Sequence, residues 1–163
     1  MNGQELGTYL LFFAKFEYAL IRAGFFKEGR KVNNNGSIKI IGSDWNMFAD
    51  KLPQDFYSKV KAQQEIQEIF KNGGPKVWAR LVDAAPQFHH DTQISDAKTL
   101  IYACKHIRNN VVHGEKLQTD RNNIQRNQLL LKDAELILKS AMREAPQVNG
   151  FDKVENIFHD IPI

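Results

Sequence analysis

The sequence predicts an all-α fold, a bundle of four or five helices, and three observations carry that expectation. Apolar residues recur at spacings of three and four over most of the 163 residues. Clusters that stop helices, above all Asn72-Gly73-Gly74-Pro75 and later Pro146, divide those stretches. The composition is that of a folded chain, 42% apolar with a net charge of only +3, outside the disordered range. The length suits a single domain over 1–163, since a chain of this size buries roughly 70% of its unfolded surface. A helical body over about 6–145 and a loose C-terminal tail over 146–163 are expected.

Leu6, Leu10, Phe13, Phe16, Leu20 and Ala23 make the apolar stripe of a first helix, with Thr8, Lys15 and Arg22 on its wet side. Gly24 and Gly29 loosen the pattern, so this helix should stop near Phe25 or Phe26. Residues 27–43 read as a loop: Asn33-Asn34-Asn35-Gly36 is a turn, and the alternation from Ser37 to Ile41 has no evident partner strand. Ser43 is placed as the cap of a helix beginning Asp44-Trp45. A further helix is expected from about Pro53 to Phe70, and a short one from Pro75 through Val82. Pro86 to Thr92 reads as a loop. Ser95 then caps a helix running to His113 and Gly114, and Thr119 or Asp120 starts the last, through about Glu144. Ile124, Leu131, Leu138 and Met142, flanked by Leu130, Ala134 and Ile137, give that last helix a wide apolar stripe.

Cys104 is the only cysteine, which excludes a disulfide framework and points to a reducing, cytoplasmic setting. The apolar run Tyr9 to Ala14 is broken by Lys15 and Glu17, so neither a signal peptide nor a membrane span is expected. Charge is uneven. Between Lys105 and Arg143 stand eight basic and four acidic residues, a net +4, against −1 elsewhere. A basic face of this kind suits a polyanion partner without demanding one, and on charge alone a solvated helix surface is the better reading.

Chemistry concentrates in Ile107-Arg108-Asn109-Asn110-Val111-Val112-His113-Gly114. At 100° per residue, Leu100, Ala103, Cys104, Ile107 and Val111 share one side of the helix. Thr99, Tyr102, His106, Asn110 and His113 share the other, with Asn109 at its edge. Amides, imidazoles and a phenol replace the Lys and Glu of an ordinary wet face. Arg108 projects onto the apolar side, where an unpaired guanidinium is costly. Glu17, set between Phe13 and Leu20 on the first helix's apolar stripe, is equally out of place. An Arg108–Glu17 pair resolves both anomalies, and so does a substrate phosphate at Arg108. His89-His90-Asp91 and the distant His106 lack a metal-ligand spacing, and Gly73-Gly74-Pro75 is a breaker rather than a phosphate loop. No metal and no cofactor are expected.

Arg108-Asn109-x-x-x-His113 resembles the R-x(4–6)-H signature of HEPN domains. Phe16-Glu17-Tyr18-Ala19-Leu20 with Ala23-Gly24-Phe25, and Asp44-Trp45-x-x-Phe48-Ala49, resemble an uncharacterised bacterial branch of the same family. The resemblance implies a metal-independent endoribonuclease acting as a homodimer, with Arg108, Asn109 and His113 catalytic and Glu17, His106 and Asn110 supporting. It implies RNA as substrate, a 2′,3′-cyclic phosphate product, a role as toxin or anti-phage effector, and a possible cognate antitoxin or defence partner. The other reading is a non-catalytic helical module that binds a protein or nucleic acid. On a regular helix, five residues put Arg108 and His113 about 140° apart. Sharing a face requires the helix to end between them or a second subunit to complete the site.

Overall fold

The apolar stripe at the N-terminus forms α1 (Gly3–Arg22) in a computed structural model that describes residues 3–71, 74–79, 87–90, 93–112 and 121–162. The helix ends three residues earlier than Phe25. Gly24 takes φ +89°, which lets its N–H reach Ile21 O at 3.2 Å and the Phe25 N–H reach Leu20 O at 2.8 Å. Two carbonyls at the helix end are thereby satisfied, and Phe25 folds back into the core.

The segment expected to be a loop is a hairpin. Strand β1 (Phe26–Val32) pairs antiparallel with β2 (Ile38–Ser43), in a register that includes Phe26↔Ser43 and Val32↔Ile38. The alternating run finds its partner in Lys-Glu-Gly-Arg-Lys-Val, whose charges hide the strand because nearly all of its side chains face solvent. A second antiparallel pair, β3 (Lys76–Ala79) with β4 (Gln87–His90), stands where a short helix from Pro75 through Val82 and a loop from Pro86 to Thr92 were expected; residues 80–86 and 91–92 lie outside the described residues. Val77, Trp78 and Phe88 are the β-branched and aromatic residues that suit a ladder. Among the described residues the fold is therefore mainly helical with two small antiparallel strand pairs, and not all-α.

α2 (Trp45–Asp50) is capped by Asp44 rather than Ser43: its carboxylate accepts from the Asn46 and Met47 N–H groups, both at 3.0 Å. The helix expected from Pro53 to Phe70 is instead α3 (Phe56–Lys61) followed by a 3₁₀ turn, Glu68–Phe70. On one continuous helix Ile66 would lie about 120° from Val60. The break allows Phe56, Val60, Ile66 and Ile69 all to be buried. α4 (Ala97–Val112) starts from Asp96, not Ser95: Asp96 Oδ1 accepts from the Thr99 N–H at 2.7 Å while Thr99 Oγ1 accepts from the Asp96 N–H at 3.1 Å. This reciprocal pair satisfies two of the helix's first donors.

α5 (Arg121–Glu144) presents the expected apolar stripe, fully buried from Leu130 to Met142; the expected start at Thr119 or Asp120 lies outside the described residues. The C-terminal segment is not loose. α6 (Val154–Asp160) packs on α1 through buried Val154 and Phe158, whose ring lies 5.4 Å from that of Phe12. At the centre, Phe16 meets Trp45 at 5.0 Å and Phe48 at 5.6 Å, all edge to face. Among the described residues no helix is long and apolar enough to cross a membrane.

Candidate functional site

The two misplaced charges find each other. Arg108, on α4, donates from Nη2 to Glu17 Oε2 at 2.5 Å. The pair is only partly covered, the two side chains being 27% and 21% exposed. Glu17's other oxygen accepts from Trp45 Nε1 at 3.1 Å and from the Ser43 hydroxyl at 3.5 Å. Three elements thus converge on one carboxylate: α4 supplies the cation, α2 the indole and β2 the hydroxyl. The indole's place follows from the core, because Trp45 is wedged against Phe16, the residue before Glu17. Arg108 Nη1 donates to Asn109 Oδ1 at 3.1 Å, so the side chain is held at both ends of its fork.

The other expected residues scatter around this clamp. Asn109 is half-buried beside Arg108. His106 lies one turn back, its ring meeting Tyr102 edge to face at 4.7 Å. Asn110 departs from the helical-wheel reading: it is only 5% exposed and belongs to the buried stripe with Ala103 and Ile107. Residues 103, 107 and 110 follow the four-then-three spacing of a single helix face. His113 lies outside the described residues. So do Gly114 and the start of the basic stretch that follows it.

Two features of the surroundings were not read from the sequence. The first is Lys105, half-buried between Tyr102 and Arg108, with Nζ 5.6 Å from the Tyr102 ring centre. Burial, then the nearby Lys27 ammonium, hold this lysine below its usual 10.5, while Glu17 and Asp44 act in the opposite sense. The second is the β1–β2 hairpin. Residues 26–43 contain Lys27, Arg30, Lys31 and Lys39 against Glu28 alone, a net +3 equal to that of the whole chain. Counting charge from Lys105 to Arg143 missed this, because the hairpin approaches Lys105 through Lys27 in space and not in sequence. The signal that could have found it is the clustering of basic residues on both sides of an Asn-Gly turn.

No family model, curated protein or solved structure matches this chain. The site therefore stands on its chemistry. A guanidinium fixed by a carboxylate and an amide, with Lys105 and Lys27 close by, suits a group with several anionic oxygens. Cys104, one turn before Arg108, is no alternative nucleophile: it is fully buried, and burial pushes its thiol far above the ordinary range.

Proposed function

We propose that the protein is a metal-independent endoribonuclease of the HEPN type, and that Arg108 with His113 carries the reaction. The observation that supports this reading is the clamp: Glu17, Trp45 and Asn109 orient the Arg108 guanidinium at a partly open surface where Lys105 and Lys27 add positive charge. Neutral His113 takes the proton from a ribose 2′-hydroxyl, as an imidazole with a pKa near 6.5 is suited to do. The 2′-oxygen attacks the adjacent phosphorus, the 5′-oxygen of the next nucleotide leaves, and a 2′,3′-cyclic phosphate remains. The leaving oxygen takes up a proton from solvent as a 5′-hydroxyl, and His113 gives its proton back to solvent. Arg108 and Lys105 neutralise the charge that grows on the phosphate oxygens. Because nucleophile and phosphate belong to one molecule, positioning contributes without a second substrate. A homodimer that joins two Arg108 regions across one cleft supplies the remaining enclosure. The biological role that fits is a toxin or anti-phage effector restrained by a cognate partner.

One observation favours a second reading, a non-catalytic helical module. Glu17 already neutralises Arg108, which is what a structural ion pair does. Incubating the purified protein with RNA in EDTA separates the two. Wild type should cut, leaving 2′,3′-cyclic phosphate ends, and a 2′-O-methyl group should protect the bond 3′ of it. His113→Ala should lose about 10²- to 10⁴-fold in rate, and Arg108→Lys should fail as well, since an ammonium lacks the bidentate fork. Cleavage that survives in His113→Ala, or none in the wild type, would reject the ribonuclease reading.

A further inference from the structure

Beside the clamp, on the opposite flank of α4, lies a cavity of about 340 Å³ lined by Tyr102, His106, Thr99, Ala103, Lys98 and, from α2, Asn46. Its size falls at the small end of the roughly 300–1,000 Å³ typical of ligand pockets. The lining is chemically mixed in a particular way. Tyr102 contributes an aromatic ring, with the residue 39% exposed. Asn46 brings a donor and an acceptor and His106 an imidazole, while the Thr99 hydroxyl is already engaged in the α4 cap with Asp96. Lys98, whose ammonium meets Asp50 at 2.9 Å, stands at the edge. An aromatic surface surrounded by short hydrogen-bonding groups is how proteins hold an unstacked base.

The position of the cavity decides what it serves. Tyr102 and Arg108 are six residues apart, about 9 Å along the helix axis, and Lys105 falls about 60° from each around it. The surface path from cavity to clamp therefore runs over the Lys105 ammonium, which already sits 5.6 Å from the Tyr102 ring centre. Ring, cation and guanidinium follow one another as base, backbone and phosphate do in a single strand. We propose that this cavity is a nucleobase subsite, which takes the base of a nearby nucleotide on the strand whose phosphate is held at Arg108 and so sets where single-stranded RNA is cut. The inference rests on the ribonuclease reading for the cut, but not for the binding. Tyr102 supplies the stacking surface, and Asn46 discriminates by reading the base edge. Duplex RNA is excluded, because its bases are stacked and cannot enter.

Binding of non-cleavable 2′-O-methyl homopolymers, one for each base, measured by fluorescence anisotropy on the full chain, tests this directly. One base or one class, purine or pyrimidine, should bind several-fold more tightly than the others. Tyr102→Ala should weaken that preferred binding by about ten-fold, the loss expected for one stacked base, whereas Tyr102→Phe should retain it. Asn46→Ala should narrow the difference between bases while leaving the weaker binding unchanged. A thermal melt matching the wild type shows that each variant is folded; Tyr102→Phe supplies the ring-retaining control if Tyr102→Ala melts early. Equal binding of all four homopolymers, or Tyr102→Ala binding as wild type does, overturns the subsite. Base-selective binding by a wild type that cuts no RNA sinks the ribonuclease reading and leaves the subsite standing. Cleavage without base preference near the cut, together with equal binding, does the reverse.

Discussion

Two acidic side chains point inward from long helices, Glu17 on α1 and Asp133 on α5, and the protein treats them differently. Asp133 is 3% exposed and accepts the Ile69 N–H at 2.9 Å, with the Gln67 and Glu68 N–H groups also directed at it. Its partners are peptide dipoles at the start of the 3₁₀ turn, and burial outweighs them, raising its pKa. Glu17 sits nearer the surface and meets a full cation, an indole and a hydroxyl. Asp133 joins two parts of the backbone and reaches nothing outside. Glu17 holds a guanidinium where an anion can approach it. A charge paired with backbone in the interior is architecture; a charge that positions another charge at the surface marks a site.

The comparison can be broken most forcefully at Asp133. Asp133→Ala leaves the buried Ile69 N–H without its acceptor, which costs about 1–3 kcal/mol, so urea denaturation should show a loss of about 2 kcal/mol. A loss below about 1 kcal/mol would mean that the 3₁₀ turn does not depend on this carboxylate.

Asp133 also predicts a pH dependence that Asp133→Asn should remove. Its pKa in the folded protein lies above the ordinary 3.8, so the folded state holds the proton more tightly than the unfolded one. Stability from this group is therefore greatest in acid and falls as pH rises from 3.8 through its own raised value. The wild-type melting temperature should decline across that window relative to Asp133→Asn. Parallel profiles would refute the assignment.

At the other carboxylate the effects are smaller, because the pair is partly solvated. Glu17→Gln and Arg108→Gln should each lower stability by about 1 kcal/mol, and the double variant by little more, since both remove one interaction. Strictly additive losses would show that the two residues act separately. Smallest of all is Ser43→Ala, whose hydrogen bond to Glu17 is long at 3.5 Å; a change within about 0.5 kcal/mol is expected. A larger loss would make the hydroxyl, rather than Trp45 and Arg108, the support of Glu17.

Periodicity made the long helices legible: α1, α4 and α5 each bury a continuous apolar face, which writes itself into sequence at a spacing of 3.6. The Glu17–Arg108 pair was legible for a related reason, since each charge breaks such a face and neither can remain there alone. The strand pairs were not legible. The side chains of β1 and β2 are mostly exposed, β3 and β4 are too short to show a period, and what defines a two-stranded ladder is a backbone partner elsewhere in the chain. The break after α3 was hidden because the interior, not local propensity, decides that Ile66 and Ile69 turn inward with Val60. Likewise Lys27 stands 78 positions from Lys105 in the chain, yet their ammonium groups influence one another. Electrostatic and packing energies depend on distance in space, so the identity of the charged groups was present in the residues, and their convergence around Arg108 arose only when α1, α2, α4 and the first hairpin came together.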